Sequence, residues 1–264
     1  MTLRIKLVVF ILLSFVFCTK SIAAENLKGE KSYVRNLRTI LTLGGGTGFT
    51  NDAGAATTIP INDSITEEQY TYSPDSDNQT LGLFNAFLGI EFPLRQQFAG
   101  QVGLGYYYFA ESKVNGILTQ GADAGSSSMF PYKYKIRNNQ LLLDSKWFYT
   151  CNAFRPYFAL GLGAAFNNAS SFDVTIPKYI TFSRMYESYD ATSFSYNVGL
   201  GLDYNINQYT RIGIGYRFAD LGKVSLGDST IDATPVSGTI SQSHFYIHEV
   251  LAQLTFIISH GGYR

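Results

Sequence analysis

SFSYNVGLGLDYNINQYTRIGIGYRF, residues 193–218, decides the fold of this 264-residue chain. From Phe194 to Ile206 every second residue is apolar or aromatic, and the residues between them are small or polar. After a short polar turn at 205–208 the alternation restarts and runs from Ile212 to Phe218. Alternation with a period of two predicts strands, and these are longer than most strands of soluble proteins. Aromatic residues at both ends of an apolar face are typical of a strand that crosses a bilayer. The stretch therefore predicts a transmembrane β-hairpin.

The N-terminus has the pattern of an export signal. Arg4 and Lys6 precede an apolar run from Leu7 to Phe17, and small residues follow at 21–24. The run is too short to span a membrane as a helix. Because the bulky Phe17 precedes Cys18, we do not expect lipidation. We expect a secretory signal peptide over residues 1–24, cleaved near Ala23/Ala24, and a barrel domain over residues 25–264.

The composition of the remaining chain excludes several classes of protein. Without residues 1–24 it holds 17 basic and 20 acidic residues, a formal charge of −3. This balance argues against nucleic acid as a partner. Cys151 is then the sole cysteine, so no internal disulfide can form. No later segment is apolar over the length of a transmembrane helix, so a membrane protein of this composition must be a closed barrel. The soluble alternative, a β-sandwich or a lipocalin-like barrel, has shorter strands and no aromatic bands.

The same alternation recurs along the chain and predicts an all-β fold, an eight-stranded antiparallel up-and-down transmembrane β-barrel. The predicted strands are Leu37–Phe49, Thr80–Phe92, Phe98–Phe109, Tyr134–Tyr149, Tyr157–Asn167, the two strands of the opening hairpin and His244–Ile258. The connections alternate between long and short, as in barrels of the bacterial outer membrane, which have short periplasmic turns and long external loops. The four long loops are expected at 50–79, 110–133, 168–191 and 221–243.

Aromatic residues are expected to form a girdle at each membrane interface. The predicted periplasmic girdle consists of Phe92, Trp147, Tyr149, Tyr204 and Phe256. The predicted outer girdle consists of Tyr106, Tyr108, Phe166, Tyr216, Phe218 and Tyr246.

Charged residues at inward positions are the candidates for a site inside the barrel. They are Arg38, Glu91, Asp144, Lys146, Asp203, Arg211, Arg217 and Glu249. Side chains just fill the lumen of an eight-stranded barrel, and buried charges there need partners. We therefore expect a structural network of ion pairs, and a narrow, gated pore is the alternative.

Two segments carry the resemblance to a known family, LGLGAAF at 160–166 and VGLGLDYNINQYTRIGIGYRF at 198–218. They resemble the last strands of the OmpA-like outer-membrane β-barrel superfamily, which includes the opacity-type surface proteins of Gram-negative bacteria. The resemblance implies the fold but no single activity, because members range from structural anchors to adhesins. It also implies the barrel-assembly machinery as a partner, which usually reads a terminal aromatic residue. Here IISHGGYR follows Phe256, so either Phe256 serves or the recognition is unusual.

Two groups of residues are candidates for a catalytic site or a metal site. His244, His248 and Glu249 lie near Ser241 and Ser243, but in a strand both histidines share one face and the glutamate points the other way. Asp75–Asn78 could offer oxygen ligands to Ca²⁺ or Mg²⁺ but lacks the glycine and distal glutamate of an EF-hand loop. We expect no catalytic site, no metal site and no cofactor.

A glycine-rich stretch is a candidate for nucleotide binding. Gly44–Gly48 resembles a phosphate-cradling loop, but no helix and no Lys-Ser/Thr pair follows it. We expect these glycines to let a small barrel curve sharply.

The sequence thus predicts a surface protein, structural or contacting a ligand or host through its loops. A narrow small-solute channel is the alternative, and a lipid-modifying barrel enzyme comes third. Expected partners are outer-membrane lipid, lipopolysaccharide bridged by divalent ions to the acidic first loop, and a host or matrix ligand. Loop tyrosines could contact such a ligand or pack loop on loop; they are Tyr70, Tyr72, Tyr179, Tyr186 and Tyr189.

Overall fold

Sixteen strands make up the regular structure of the computed structural model. It describes residues 37–50, 56–63, 66–75, 79–95, 97–121, 128–176, 184–231 and 234–258. The strands are β1 (Arg38–Thr50), β2 (Thr57–Asp63), β3 (Thr66–Pro74), β4 (Gln79–Arg95), β5 (Phe98–Phe109), β6 (Ser112–Gln120), β7 (Ser128–Tyr149), β8 (Phe154–Val174), β9 (Arg184–Tyr186), β10 (Tyr189–Asn205), β11 (Thr210–Asp220), β12 (Val224–Ser225), β13 (Ser229–Ile231), β14 (Thr234–Val236), β15 (Ser241–Gln242) and β16 (Tyr246–Ile258). Within these ranges, no helix has the length and hydropathy needed to cross a membrane. The predicted export signal lies outside the described residues.

Eight of the strands close into a ring. The order is β7, β5, β4, β1, β16, β11, β10 and β8, and β8 pairs back with β7. Every pairing in the ring is antiparallel. This confirms the predicted eight-stranded antiparallel barrel. The predicted strand Phe98–Phe109 has the same bounds in the structure. The last strand begins two residues later than predicted, at Tyr246, and the other six are displaced or extended at one or both ends.

The register fixes the tilt of the strands. Stepping from partner to partner around the ring, from Phe256 on β16, leads back to β16 at Tyr246, ten residues away. Ten residues of about 3.3 Å, set against eight interstrand spacings of about 4.8 Å, give a strand tilt of about 40°. A barrel of this size has an interior that side chains can fill.

The barrel has apolar side chains on its outer surface and polar side chains on its inner surface, the reverse of the arrangement in a soluble protein. Leu200 and Ile214, on the outer surface, are 60% and 66% exposed. Asn197 and Asp203, on the inner surface, are each 2% exposed. This inversion is stable only where hydrocarbon surrounds the barrel, since water would favour the opposite arrangement.

Three short connections and the first residue of β1 lie at one end of the barrel, called here the short-turn end. The connections are residues 96–97, 150–153 and 206–209. The four long connections meet at the opposite end, called here the loop end.

The long connections contain strands, so their prediction as loops is wrong. The segment predicted as loop 110–133 forms β6 and the first part of β7, which pair with each other. β3 pairs with β6, and β2 with β3, so the sheet extends beyond the barrel. A second small sheet consists of β9, β13 and β14, and β12 pairs with β15. We call the cap the group formed by β2, β3, β6, β9, β13, β14 and the adjoining ends of β7 (128–136) and β8 (169–174).

The apolar side of β7 changes where the cap begins. Between Phe130 and Ile136 the buried side is apolar and the outer side carries charged residues. From Asn138 onward the buried side begins with polar residues, whereas Leu141 and Leu143 are exposed on the outer side. The switch marks the level at which water replaces lipid around the strand. The sequence prediction placed residues 128–133 in a loop because their outer side is not uniformly apolar.

Candidate functional site

A carboxylate holds the half of the lumen near the short-turn end. Glu91 on β4 accepts hydrogen bonds from both Nη atoms of Arg211 on β11, with Nη2 2.8 Å from Oε1. Arg155 on β8 donates from Nη1 to Oε2 at 3.2 Å. Gln101 on β5 donates from Nε2 to the same oxygen at 2.8 Å. All four side chains are buried, so one carboxylate ties together four strands of the ring.

A second ion pair lies nearer the loop end. Arg217 on β11 donates from Nε and Nη2 to the two carboxylate oxygens of Glu249 on β16, each at 2.8 Å. Nη2 also donates to Gln140 Oε1 at 2.7 Å. The guanidinium carbon lies 3.5 Å from the centre of the Tyr107 ring. This bidentate pairing is the strong geometry for arginine and a carboxylate.

Asp144 lies between these two pairs, in a space that glycines provide. Its carboxylate accepts hydrogen bonds from Tyr107 Oη at 2.7 Å and Asn197 Nδ2 at 3.0 Å. A Cβ atom on Gly105 would lie 1.9 Å from one oxygen, and a Cβ atom on Gly161 would lie 2.0 Å from the other. The two glycines are therefore required by the position of this carboxylate.

Two further predicted charges, Lys146 and Asp203, are also buried. Lys146 Nζ donates to Gln253 Oε1 at 2.7 Å and lies over the Tyr157 ring. Asp203 has one carboxylate oxygen buried without a hydrogen-bond partner among the described residues. With the groups above, the described lumen buries four acidic side chains (Glu91, Asp144, Asp203, Glu249) and four basic ones (Lys146, Arg155, Arg211, Arg217).

Two arginines depart from the predicted set. Arg155 lies outside the predicted strand Tyr157–Asn167, yet in the structure it lies on β8 and contacts Glu91. The inward alternation of Ala159 and Tyr157 continues through Arg155, and this signal could have identified it. Arg38 is exposed at the short-turn end and forms no ion pair with any residue that the structure describes.

An open cavity of about 520 Å³ occupies the short-turn end of the lumen. Four charged side chains line it, Arg38, Glu91, Arg155 and Arg211. The rest of its wall consists of the polar side chains of Gln97, Thr150, Asn205, Asn207 and Gln208 and of the apolar residues Pro93, Phe98, Ala99 and Ile257.

The structure places all eleven predicted girdle residues at outward positions of their strands. At the short-turn end the rings of Phe98 and Tyr149 are 5.2 Å apart, and those of Phe154 and Tyr204 are 5.1 Å apart. At the loop end Phe218 stacks on Tyr246 at 5.6 Å. Phe98 and Phe154 are aromatic residues at the same end that the sequence prediction did not include.

The side chains of His248 and Glu249 lie on opposite faces of β16, as the alternation of a strand predicts. Glu249 points inward to Arg217, whereas His248 Nδ1 lies 2.6 Å from Tyr216 Oη on the outer surface. His244 Nδ1 instead contacts Asp220 Oδ2 at 2.8 Å, a partner that the sequence did not single out. Among the described residues, no serine hydroxyl forms a hydrogen bond with His244.

The cap has an aromatic core. The ring of Tyr72 packs edge-on against Tyr132, Phe172 and Tyr186, with ring centres 5.5 to 6.2 Å apart. Burial raises the pKa of Tyr72 well above its ordinary value, and raises the pKa of Tyr134 to about 12. The cap is therefore a packed unit with its own core.

These contacts decide how most of the loop tyrosines are used. Tyr70 and Tyr72 are each 1% exposed and Tyr186 is 7% exposed, so they pack loop on loop and are not free contact residues. Tyr189 is half exposed, and Tyr179 lies outside the described residues.

A buried arginine joins the separate connections of the cap. Arg184 on β9 is fully buried and donates to Ser229 Oγ from Nε at 2.9 Å and from Nη2 at 2.7 Å. It also donates to the carbonyl oxygens of Ser237 and Gly238. Gly238 adopts φ of 97°, a conformation that favours glycine.

Sequence comparison agrees with this architecture. Residues 118–241 match the model of the family described as outer membrane protein beta-barrel domain. The chain folds as an eight-stranded transmembrane β-barrel, the architecture that this family's description names. It is 24% identical over 170 residues to a protein named putative adhesin RC1281 of Rickettsia conorii, covering 60% of the chain and 67% of that relative.

Two solved structures of outer-membrane proteins are similar in fold to this chain. The outer membrane protease OmpT of Escherichia coli is 10% identical with a TM-score of 0.41, covering 86% of this chain and 98% of that one. Ail, the attachment invasion locus protein of Yersinia pestis, is 11% identical with a TM-score of 0.35, covering 84% of this chain and 99% of that one. Likeness at this level transfers no function to the barrel.

Proposed function

We propose that this chain is a surface protein of the bacterial outer membrane whose cap contacts a ligand on a host cell or in its surroundings. The barrel is the anchor, and the short-turn end faces the periplasm. The single observation that carries the proposal is the packed cap. Strands that extend a barrel beyond the membrane, around a core of buried rings, are costly to order unless their outer surface is used.

The order of the cap also favours binding. Because Tyr72 and Arg184 already hold the connections together, a ligand would not need to immobilise them, and binding would avoid that entropic cost. Large apolar side chains on the cap remain exposed, including Met129 at 67% and Met185 at 43%. The relative named putative adhesin supports a role in contact with a host.

Two partners are proposed besides the ligand, lipopolysaccharide and the barrel-assembly machinery. A row of basic side chains, some of them ion-paired to Asp173 or Glu111, follows the outer face from the cap onto the barrel above Tyr108 and would face lipopolysaccharide. The row consists of Lys113, Lys133, Lys135 and Arg137. The acidic first connection would add contacts through divalent ions. The barrel-assembly machinery would read Phe256, which faces outward near the short-turn end.

The lumen and the histidines weigh against the other two functions. Ion pairs from non-adjacent strands occupy the lumen at the level of Glu91, which disfavours a narrow channel. Among the described residues no serine or threonine hydroxyl is hydrogen-bonded to the His244 imidazole, which contacts Asp220, and this disfavours a lipid-modifying enzyme.

Removal of the cap tests the proposal. In one variant a four-residue turn replaces residues 112–136, which form β6 and the cap part of β7. We expect a non-adherent host strain that displays the intact protein to bind cultured cells or matrix proteins, and the cap-less variant to lose that binding. Heat-modifiable gel mobility would show that both barrels fold. Equal binding by the two strains would contradict the proposal.

A further inference from the structure

Most residues that line the cavity at the short-turn end are charged or polar, which suits an anion better than an apolar ligand. Its volume of about 520 Å³ is within the range of small-molecule sites. Its charged wall residues are three arginines and one glutamate, Arg38, Arg155, Arg211 and Glu91, for a net charge of +2. Amide side chains of the short turns surround them. An electropositive, concave, polar surface concentrates anions.

The arginines of this wall have more donors than the structure uses. A guanidinium has five N–H donors, and Glu91 is the one carboxylate among the charged residues of the wall. The Nε atoms of Arg155 and Arg211 are buried without a hydrogen-bond partner among the described residues. Arg155 and Arg211 are 4% and 2% exposed, so their positions are fixed by packing.

Arg38 completes the arrangement at the rim. It is the register partner of Glu91 on the neighbouring strand, and its exposed guanidinium has no ion-pair partner in the described part of the chain. A charged donor placed at the rim, above two buried ones, can close around a group that enters the cavity.

We propose that this cavity binds a small oxyanion, a phosphate or a carboxylate group, between Arg38 and Arg155. The planar fork of arginine matches the paired oxygens of either group. Arg211, which both Glu91 oxygens already engage, adds positive potential behind the site. The site lies at the opposite end from the cap and does not depend on the function proposed for the cap.

Calorimetric titration of the refolded protein in a non-ionic detergent tests the site. Sodium phosphate and sodium succinate are titrated separately, with sodium chloride at equal ionic strength as the reference. We expect saturable heat with at least one of the two oxyanions and none with chloride. Because a hydrogen bond to a charged group contributes a factor of ten or more, Arg38→Gln and Arg155→Gln should each weaken binding about tenfold or more.

Arg95→Gln is the matched control. Arg95 is an exposed arginine at the same end of the barrel, and it does not line the cavity. Its replacement should change the affinity less than twofold. Heat-modifiable mobility would show whether Arg155→Gln folds, and Arg38→Gln, altered at an exposed position, keeps the test informative if it does not.

The outcomes separate the sources of the anion. Binding of phosphate alone would assign a phosphorylated ligand, and binding of succinate alone would assign a carboxylate ligand. Absence of saturable heat with both anions would overturn the proposal. An equal loss in Arg38→Gln and Arg95→Gln would overturn it as well, because it would indicate a general effect of charge.

Discussion

Glu91 and Arg211 are 120 positions apart in the chain, yet Arg211 Nη2 lies 2.8 Å from Glu91 Oε1 inside the barrel. Two strands, β1 and β16, separate β4 from β11 in the ring. The pair therefore exists only once the barrel has closed, and it holds non-adjacent strands together.

Glu91→Gln should destabilise the closed barrel strongly. The substitution leaves the buried guanidinium groups of Arg155 and Arg211 without a counter-charge, which costs about 3 kcal/mol or more. Urea unfolding in lipid vesicles, followed by tryptophan fluorescence, measures the loss. Glu111→Gln is the control, because Glu111 pairs with Lys135 and Arg137 on the surface of the cap. A comparable loss in both variants would show that the position of the charge in the lumen is irrelevant.

Gly105→Ala should destabilise the barrel through contact with Asp144. The new Cβ atom would lie 1.9 Å from the carboxylate, and relief of such overpacking costs about 1–3 kcal/mol. At Gly45, where the nearest atom to a new Cβ is 3.5 Å away, alanine should be tolerated.

A double-mutant cycle isolates the cause of this effect. In an Asp144→Ala background the carboxylate is gone, so Gly105→Ala should cost much less than in the native protein. If the cost of Gly105→Ala is the same in both backgrounds, contact with Asp144 is not the reason for the glycine.

The alternation of the sequence was sufficient to predict the inner and outer faces of the barrel. It placed Glu91, Asp203 and Arg211 inside because their neighbours are apolar or aromatic at every second position. It missed Arg155 because the proline at 156 and the preceding short turn suggested the end of a strand. Which charges meet could not be predicted, since partners such as Glu91 and Arg211 depend on the ten-residue offset with which the ring closes.

The cap was beyond this reasoning for a different physical reason. The predicted strands were defined by an apolar outer face, which is expected only where lipid surrounds the strand. β7 passes from lipid into water near Asn138. Above that level the apolar side of the strand turns inward. Tyr70, Tyr72 and Tyr186 then belong to a core, although tyrosines in a polar connection are equally common at binding surfaces.

The cap should lose stability in alkali. Burial raises the pKa of Tyr134 to about 12, whereas tyrosine in an unfolded chain ionises near pH 10. Between about pH 10 and 12 the unfolded cap releases a proton that the folded cap retains, so the contribution of Tyr134 to stability is complete below pH 10 and falls as the pH approaches 12. Tyrosinate absorbance should show a late step whose amplitude falls in Tyr134→Phe and falls further in the cap-less variant. Ionisation of every tyrosine in a single step near pH 10 would refute a packed aromatic core.

Arg184→Met should open the cap and leave the barrel intact. The substitution removes the hydrogen bonds to Ser229 and to the carbonyl of Gly238, which join β9 to the connection before β16. Limited proteolysis should then cut the cap connections several-fold faster than in the native protein, while a heat-modifiable barrel fragment persists. Lys223→Met is the control, because Lys223 lies on the connection before β16 and its side chain is exposed. The cap of this variant should be cleaved at the native rate. Equal resistance of the two variants would show that Arg184 does not hold the cap.

Single-channel conductance of the refolded protein in a planar bilayer tests most directly whether side chains fill the lumen, so that the barrel anchors the cap and does not conduct. The pairs formed by Glu91 and by Glu249 occupy the lumen at two levels, so we predict silence from protein that shows heat-modifiable mobility. Steady, salt-dependent steps of one size, altered by Glu91→Gln, would contradict the account and show that the charged lumen conducts.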